Sequence, residues 1–206
     1  MVLYYSGMLT KAHVINLDRR KDRWNIVSKH LTDQRIDFVR FPAIDNKWMG
    51  CRDSHLAIMD QCRNDDQFLI LEDDVEFLHT NNLLLLSLFQ LPSDWDALYF
   101  GASPKEPQKR YSDNLFKLKN AHVTHAILWH NRKGGAVEYI LSHRGDIKKI
   151  DDYFATVIQP KFNCYVTYPM LAIQRQTKSD TCHNVDVSTI LTNYNKYCND
   201  NSRTTG

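Results

Sequence analysis

Three consecutive carboxylates follow a strongly apolar stretch in the sequence FLILEDDVEF, residues 68–77. Four apolar residues in a row predict a strand covered on both faces, and ligands of open α/β sheets bind just beyond the carboxyl ends of such strands. Glu72, Asp73 and Asp74 repel one another there, and a hard divalent cation with oxygen ligands would compensate their charge. Because side chains alternate along a strand, we expect Glu72 and Asp74 to share the cation site and Asp73 to face elsewhere.

A metal held in this way could bridge the two phosphates of a nucleotide and neutralise a departing diphosphate. The alternative is a structural one, in which the acids decorate a turn and stabilise the N-terminus of the next helix. The motif alone favours neither interpretation, because acidic turns are common.

Two further polar segments follow predicted strands or open predicted helices. The first, Arg19 to Arg23, has the sequence RRKDR and is either a solvated helix face or an anion site at a helix N-terminus. In the second, GCRDSH at residues 50–55, Ser54 is a candidate helix cap. His55 lies on the apolar stripe of its helix, where a core histidine is the commoner interpretation.

The C-terminal half adds two candidates. Asp151 and Asp152 lie in a predicted helix, either as exposed acids opposite an apolar stripe or with one of them projecting to the sheet edge as a general base. In the segment SDTCH, His183 is either a surface histidine or a further metal ligand. The sequence contains no G-x-S-x-G, Walker-type or G-x-G-x-x-G motif and no cysteine pair with zinc-type spacing.

The elements that position these residues alternate between short apolar runs and helical stretches. We predict strands at 13–17, 36–41, 67–71, 96–100, 126–129 and 164–168 and helices at 19–31, 51–63, 81–90, 133–142 and 147–158. This order favours an α/β fold with a mainly parallel central sheet flanked by helices. Residues 101–120 are predicted to form a surface loop, and we expect a single domain over 1–192 with a flexible tail over 193–206.

Composition excludes several classes of protein. The 206 residues carry 26 basic and 24 acidic side chains, a net charge of +2, which is too balanced for a protein whose main partner is nucleic acid. No apolar run is long enough to cross a bilayer, and no secretory signal is visible at the N-terminus. Five cysteines without a paired spacing favour a reducing compartment, so a cytoplasmic location is predicted.

Four motifs in order resemble family 25 glycosyltransferases, which include lipooligosaccharide sugar transferases and collagen β-galactosyltransferases. They are HVINLDRRKDRW, FPAIDN, GCRDSHLAIMDQC and FLILEDDVEF, and the later stretches ILWHNRKGGAVEYIL, KKIDDYF and YPMLAIQRQTKSD match more loosely. The resemblance covers about residues 12–183. It implies a glycosyltransferase-A type, Rossmann-like fold, a Mn²⁺ (or Mg²⁺) cofactor, a UDP-sugar donor and a glycan or glycoconjugate acceptor.

The resemblance also implies roles for individual residues. Asp74 would be a direct metal ligand, and Asp151 matches the acidic position of a later segment of the family. From the residues themselves we add Glu72 and His183 as further candidate metal ligands, and Asp151 or Asp152 as the candidate base. The implied substrate-binding residues are Asn16, Leu17, Asp18, Arg23, Asp45, Ser54, His55, Glu72, Asp73, Gln174, Ser179 and Asp180.

The function predicted from these features is metal-dependent, inverting transfer of a hexose, with galactose or glucose favoured. A carboxylate would remove the proton of the acceptor hydroxyl while the metal stabilises the departing UDP. Two alternatives stay open: a non-catalytic nucleotide-sugar-binding protein of the same fold, and a metal-dependent nucleotidyltransferase or hydrolase.

Overall fold

The computed structural model describes residues 11–78, 81–175 and 187–198 and is built around a large, mostly parallel sheet with helices on both faces. The described strands are β1 (Ala12–Asn16), β2 (Phe38–Pro42), β3 (Gln67–Glu72), β4 (Val75–Phe77), β5 (Ala97–Tyr99), β6 (Ser103–Pro104), β7 (Lys109–Ser112), β8 (Leu115–Lys117), β9 (Ala121–His122), β10 (Ala126–His130), β11 (Cys164–Thr167) and β12 (Ala172–Gln174). The described α-helices are α1 (Lys21–Asp33), α2 (Gly50–Gln61), α3 (Asn81–Gln90), α4 (Ala136–Ser142), α5 (Ile150–Tyr153), α6 (Gln159–Lys161) and α7 (Val187–Tyr197). A 3₁₀ turn (Arg144–Asp146) precedes α5, and a π-helical segment (Phe154–Ile158) joins α5 to α6.

The strand order of the central sheet is β2-β1-β3-β10-β5-β11-β8-β7. The pairs β2–β1, β1–β3 and β5–β11 are parallel, whereas β10 and β8 run antiparallel to both of their neighbours. Within the described chain six of the eight strands therefore point the same way, and the predicted α/β fold with a mainly parallel sheet is confirmed. The carboxyl ends of β2, β1 and β3 and the amino end of β10 meet at one edge.

Strand β3 is buried on both faces, as its apolar run predicts. Phe68 and Ile70 pack in one core with residues of α2, and Leu69 and Leu71 pack in the other with residues of α1. Each of these four side chains is at most 1% exposed. Because helices cover both faces of this strand, the polar residues that follow it are held at a fixed position on the sheet edge.

The segment 101–120 differs from the surface loop predicted for it. It contains the β7–β8 hairpin, and β8 pairs with β11 at the end of the main sheet. Leu115, Phe116 and Leu118 are each at most 1% exposed. Charged residues and prolines surround these three apolar residues in the sequence, so the local pattern predicts a loop. Their burial depends on β11, a strand about 50 positions later in the chain.

The predicted tail boundary at residue 192 falls inside α7. Tyr194 and Cys198 are buried, and the Tyr194 hydroxyl donates a hydrogen bond to the carbonyl oxygen of Thr167 on β11. Residues 193–198 are therefore docked on the sheet rather than part of a tail, because Tyr194 anchors them to β11.

The four cysteines in the described ranges, Cys51, Cys62, Cys164 and Cys198, are free thiols. None of the helices described is both long and apolar enough to span a bilayer.

Candidate active site

A cavity of about 400 Å³ opens at the sheet edge where β1, β2 and β3 end. Its volume falls in the range of small-molecule sites, and its position is where open α/β sheets bind ligands. It is lined by Ile15, Leu17, Arg19, Arg23, Ala43, Ile44, Asp45, Asn46, Lys47, Trp48, Gly50, Cys51, Ser54, Glu72, Asp73, Asp74 and Gln174.

Asp73 and Asp74 both turn toward Arg23 of α1. The Arg23 Nη1 donates to Asp73 Oδ1 at 2.7 Å and to Asp74 Oδ2 at 3.3 Å, and Asn16 Nδ2 donates to Asp73 Oδ2 at 2.7 Å. Asp73 therefore does not face away from the acid cluster, which corrects the expectation from strand alternation. The physical reason is that β3 ends at Glu72 and the chain turns at residues 73 and 74, so the alternation stops there.

Asp74 is the least compensated carboxylate of the cluster. Its Oδ2 accepts from Gln174 Nε2 at 3.0 Å, but its buried Oδ1 has no hydrogen-bond partner among the residues described. Burial, followed by the nearby charge of Glu72, raises the pKa of Asp74 to about 7. Burial also raises the pKa of Asp73, although Arg23 and Asn16 oppose the shift. Arg23 therefore offsets only part of the negative charge of the cluster, and such undercompensated carboxylates favour a bound cation.

Glu72 is held from the other side, through a single oxygen. Its Oε1 accepts a hydrogen bond from Thr124 Oγ1 at 2.6 Å and lies 3.3 Å from His55 Nε2 and 3.8 Å from Cys51 Sγ. Burial acts to raise the pKa of Glu72, but the contacts with His55 and Thr124 and the nearby His125 together outweigh it, and the pKa is lowered. Glu72 is therefore ionised and oriented, with its position set by α2 and by the segment that precedes β10.

The residues of the cavity floor fit a hard divalent cation. Asp74 offers a buried oxygen without a partner, and Glu72 offers an ionised carboxylate at the same cavity. A second set of possible ligand atoms, from Cys51, His55 and Glu72, lies within 4.8 Å of one another. Burial raises the pKa of the Cys51 thiol well above its usual value, so this set suits manganese or magnesium less well than the carboxylates do.

The two candidate bases occupy different environments. Asp151 carries a buried Oδ1 without a described hydrogen-bond partner, and burial together with the charge of Glu72 raises its pKa to about 6. Asp152 is exposed, and its carboxylate lies 3.7 Å from His122 Nδ1. The structure thus brings Asp151, and not Asp152, toward the acid cluster, although Asp151 does not line the cavity itself.

Most of the other predicted site residues converge on the cavity. Leu17, Arg23, Asp45, Ser54 and Gln174 line it. The buried residues Asn16 and His55 lie behind the wall and contact Asp73 and Glu72. Ser179, Asp180 and His183 lie outside the described residues.

Two residues have different positions from those predicted. Asp18 is not among the residues that line the cavity, and it accepts a hydrogen bond from Arg40 Nη2 at 2.8 Å. Helix α1 begins after Arg20 rather than after Asp18. Ser54 is not a helix cap, because α2 already begins at Gly50.

Sequence reasoning missed Thr124, Cys51 and Trp48. Thr124 has no motif around it and reaches Glu72 only because β10 returns antiparallel beside β3. Cys51 carried a weak signal, since it lies four residues before His55 on the same helix face. Trp48 also carried a signal, as a large aromatic residue three positions before the predicted helix at 51–63.

Comparison with known proteins adds the class of fold. No protein-family model matches the sequence, and no curated protein sequence matches it. A glycosyltransferase involved in the glycosylation of the major capsid of PBCV-1 is similar in structure, with a TM-score of 0.51 and 12% identity over 83% of this chain and 96% of that chain. A putative glucose-1-phosphate thymidylyltransferase from Bacillus anthracis, solved in complex with a sucrose, gives a TM-score of 0.46 and 12% identity over 94% and 76% of the two chains.

At such low identity the likeness establishes the fold alone. The chain has the α/β fold of glycosyltransferase-A type that the first of these structures shows. None of the comparisons assigns it to family 25.

Proposed function

We propose that the protein is a metal-dependent, inverting glycosyltransferase of family 25 type that moves a hexose from a UDP-sugar to a glycan or glycoconjugate acceptor. The observation that carries this proposal is the group of undercompensated carboxylates, Glu72 to Asp74, on the floor of a cavity at the carboxyl ends of parallel strands. A fold shared with a glycosyltransferase and the four motifs in order support it.

In this proposal Asp74 and Glu72 hold Mn²⁺ or Mg²⁺. Bound there, the ion would supply the positive charge that a departing diphosphate needs. Arg23 and Asn16 fix Asp73, and Thr124 fixes Glu72, so the carboxylates are oriented before the substrate arrives.

Asp151 is the base that we propose for the transfer. The acceptor oxygen forms a bond to the anomeric carbon while the bond from that carbon to the diphosphate oxygen breaks, and Asp151 takes the proton of the acceptor hydroxyl. A single displacement of this kind inverts the anomeric configuration. The partly desolvated carboxyl of Asp151 and its proximity to Glu72 support this role, whereas Asp152 faces His122.

The remaining roles follow from the cavity wall. Leu17, Asp45 and Gln174 would contact the donor, and Ser54 and His55 would support the wall behind it. Ser179 and Asp180 as donor-binding residues, His183 as a further metal ligand, and a cytoplasmic location stay predictions.

The test is incubation of the purified protein with UDP-, GDP- and CMP-sugars, with and without Mn²⁺, followed by product analysis. We expect metal-dependent release of free UDP from one UDP-hexose, even by slow hydrolysis without an acceptor. Release of pyrophosphate from a nucleoside triphosphate and a sugar phosphate would identify a nucleotidyltransferase instead. Tight nucleotide-sugar binding without any product would indicate the non-catalytic alternative.

A further inference from the structure

We propose that Trp48 is the stacking platform for the nucleobase of the donor and thereby a determinant of nucleotide recognition. This inference rests on the proposed function, since it concerns the same cavity. It starts from an exposed indole: Trp48 is 83% exposed and lines the cavity that contains the acid cluster.

The segment that carries Trp48, residues 43–50, is braced from behind. Ser54 Oγ accepts a hydrogen bond from the Ile44 N–H at 2.9 Å and donates one to the Gly50 carbonyl at 2.7 Å. A Cβ atom at Gly50 would lie 2.4 Å from the Ile44 carbonyl oxygen, so only glycine permits this approach. The two ends of the segment are therefore fixed to each other and to α2.

The tip of the segment is equally constrained. The Met49 N–H donates to the Asn46 carbonyl at 2.7 Å, and Asn46 Nδ2 donates to Asp53 of α2 at 2.8 Å. Lys47 has a φ of 36°, in the left-handed region that is unfavourable for a residue with a side chain. Backbone strain of this kind persists where the surrounding structure holds it, and it clusters at ligand sites. These contacts thus fix the backbone from which the exposed indole projects.

Two apolar side chains lie near Trp48 on the same turn, next to the exposed polar residues 45–47. Ile44 and Met49 on the same turn are 40% and 39% exposed. An exposed tryptophan with apolar neighbours presents a π-face to which a planar ring can stack. A ligand that spans this cavity therefore needs an anionic part for the floor and a planar, apolar part for the turn, and a nucleotide has both.

The strand order indicates which end of the donor reaches Trp48. Along the edge the order is β2-β1-β3-β10, with the acids at the end of β3. Thr124 lies beside them just before β10, and Asp151 lies near the same Glu72. Trp48 lies on the opposite side, in the segment that follows β2. With the diphosphate at the acids and the reacting sugar toward Asp151, the nucleobase extends to the β2 side.

The experiment compares UDP with ribose 5-diphosphate, a ligand that lacks the base, by calorimetric titration in the presence of Mn²⁺. We expect W48A to weaken UDP binding about 10-fold, the typical contribution of one stacked base, and to leave binding of ribose 5-diphosphate within twofold. Trp48→Phe should restore most of the affinity, because a phenyl ring also stacks. Phe89→Ala removes an aromatic residue of α3 that is 77% exposed and lies outside the cavity lining, and it should leave both affinities unchanged.

The outcomes separate the two proposals. Equal binding of UDP by the wild-type protein and by W48A would overturn the stacking role and leave the proposed function intact. Unchanged UDP affinity with a raised KM for the acceptor would also overturn it, since the indole would then serve the acceptor. A wild-type protein that binds neither ligand would refute both proposals.

Discussion

Two buried carboxylates lie at opposite ends of the strands of the same sheet, Asp96 at the amino end of β5 and Asp74 beyond the carboxyl end of β3. Asp96 precedes β5 and is completely buried, yet its own chain satisfies it: Oδ1 accepts from the Ala136 N–H at 2.9 Å, and Oδ2 accepts from the Asn163 N–H and from Arg132, each at 2.9 Å. Asp74, at the other end, keeps a buried oxygen without a described partner, and its pKa is raised to about 7.

The difference shows that burial of an acid does not by itself mark a functional site. Asp96 connects the N-terminus of α4 to β5 through its hydrogen bond with Ala136. This close approach requires a glycine at position 135, because a Cβ atom there would lie 2.8 Å from Asp96 Oδ1. In Asp74 only Oδ2 has described donors, so the buried Oδ1 is available to a ligand. What distinguishes the two sites is whether the fold supplies the hydrogen-bond donors.

The largest expected effect is on catalysis at the undercompensated site. Asp74→Asn keeps the shape of the side chain but removes a charge from the cation site, so we expect at least a roughly 1,000-fold loss of kcat/KM with Mn²⁺ present. Its melting temperature should equal or exceed that of the wild type, since one of the mutually repelling acids is gone. Donor turnover and thermal denaturation check both outcomes, and undiminished turnover would remove Asp74 from the site.

The matched substitution at Asp96, whose oxygens are all hydrogen-bonded, should reduce stability and leave activity unchanged. Asp96→Asn replaces an acceptor oxygen by an amide and leaves Arg132 without its partner, so we expect a loss of about 3 kcal/mol in the free energy of unfolding. The activity of the folded fraction should stay within twofold. Urea denaturation measures the first and turnover per folded molecule the second. A variant that is stable but inactive would mean that the comparison between the two sites is wrong.

A smaller loss of activity should distinguish the two adjacent acids of α5, Asp151 and Asp152. Asp151→Asn removes the proposed base, and general-base catalysis contributes about 100-fold or more, so we expect kcat to fall by about that factor with little change in donor affinity. Asp152→Asn changes the carboxyl that faces His122 and should retain most of the activity. Steady-state kinetics of the two variants decide the assignment, and the reverse pattern would place the base at Asp152.

The smallest effect concerns the strand that continues from the acid cluster. His30 Nε2 accepts a hydrogen bond from the Phe77 N–H of β4 at 2.9 Å, and burial, followed by the charge of Arg175, lowers the pKa of His30. The folded state therefore favours the neutral ring, and its stability is complete above the unfolded pKa of about 6.5 and declines as the pH falls below it.

Replacing His30 by Gln should abolish this part of the pH dependence. Between pH 7 and pH 5 the wild type should lose about 1 kcal/mol more than His30→Gln, the size of one hydrogen bond. Urea denaturation at the two pH values measures the difference. Identical pH profiles would show that His30 does not contribute to holding β4.

The amino-acid sequence by itself determined the fold class and the neighbourhood of the site. Local patterns in the sequence identified the strands β1, β3 and β10 and the helices α1 to α3. A strand buried on both faces is a short run of apolar residues, and a helix buried on one face has apolar residues at helical spacing, so both patterns can be recognised within a few residues. The acids at 72–74 were recognisable for the same reason, since a polar run directly after a buried strand must lie at a sheet edge.

Only the tertiary structure decided which groups meet there. The turn after Glu72 directs Asp73 and Asp74 to the same arginine, and the antiparallel return of β10 brings Thr124 to Glu72. The hairpin in 101–120 could not be predicted from the sequence either, because its partner strand β11 is distant along the chain. The types of side chain in the sequence indicate which chemical groups a site can contain. Whether their charges are compensated depends on the distances between segments, and those distances are fixed only when the chain packs.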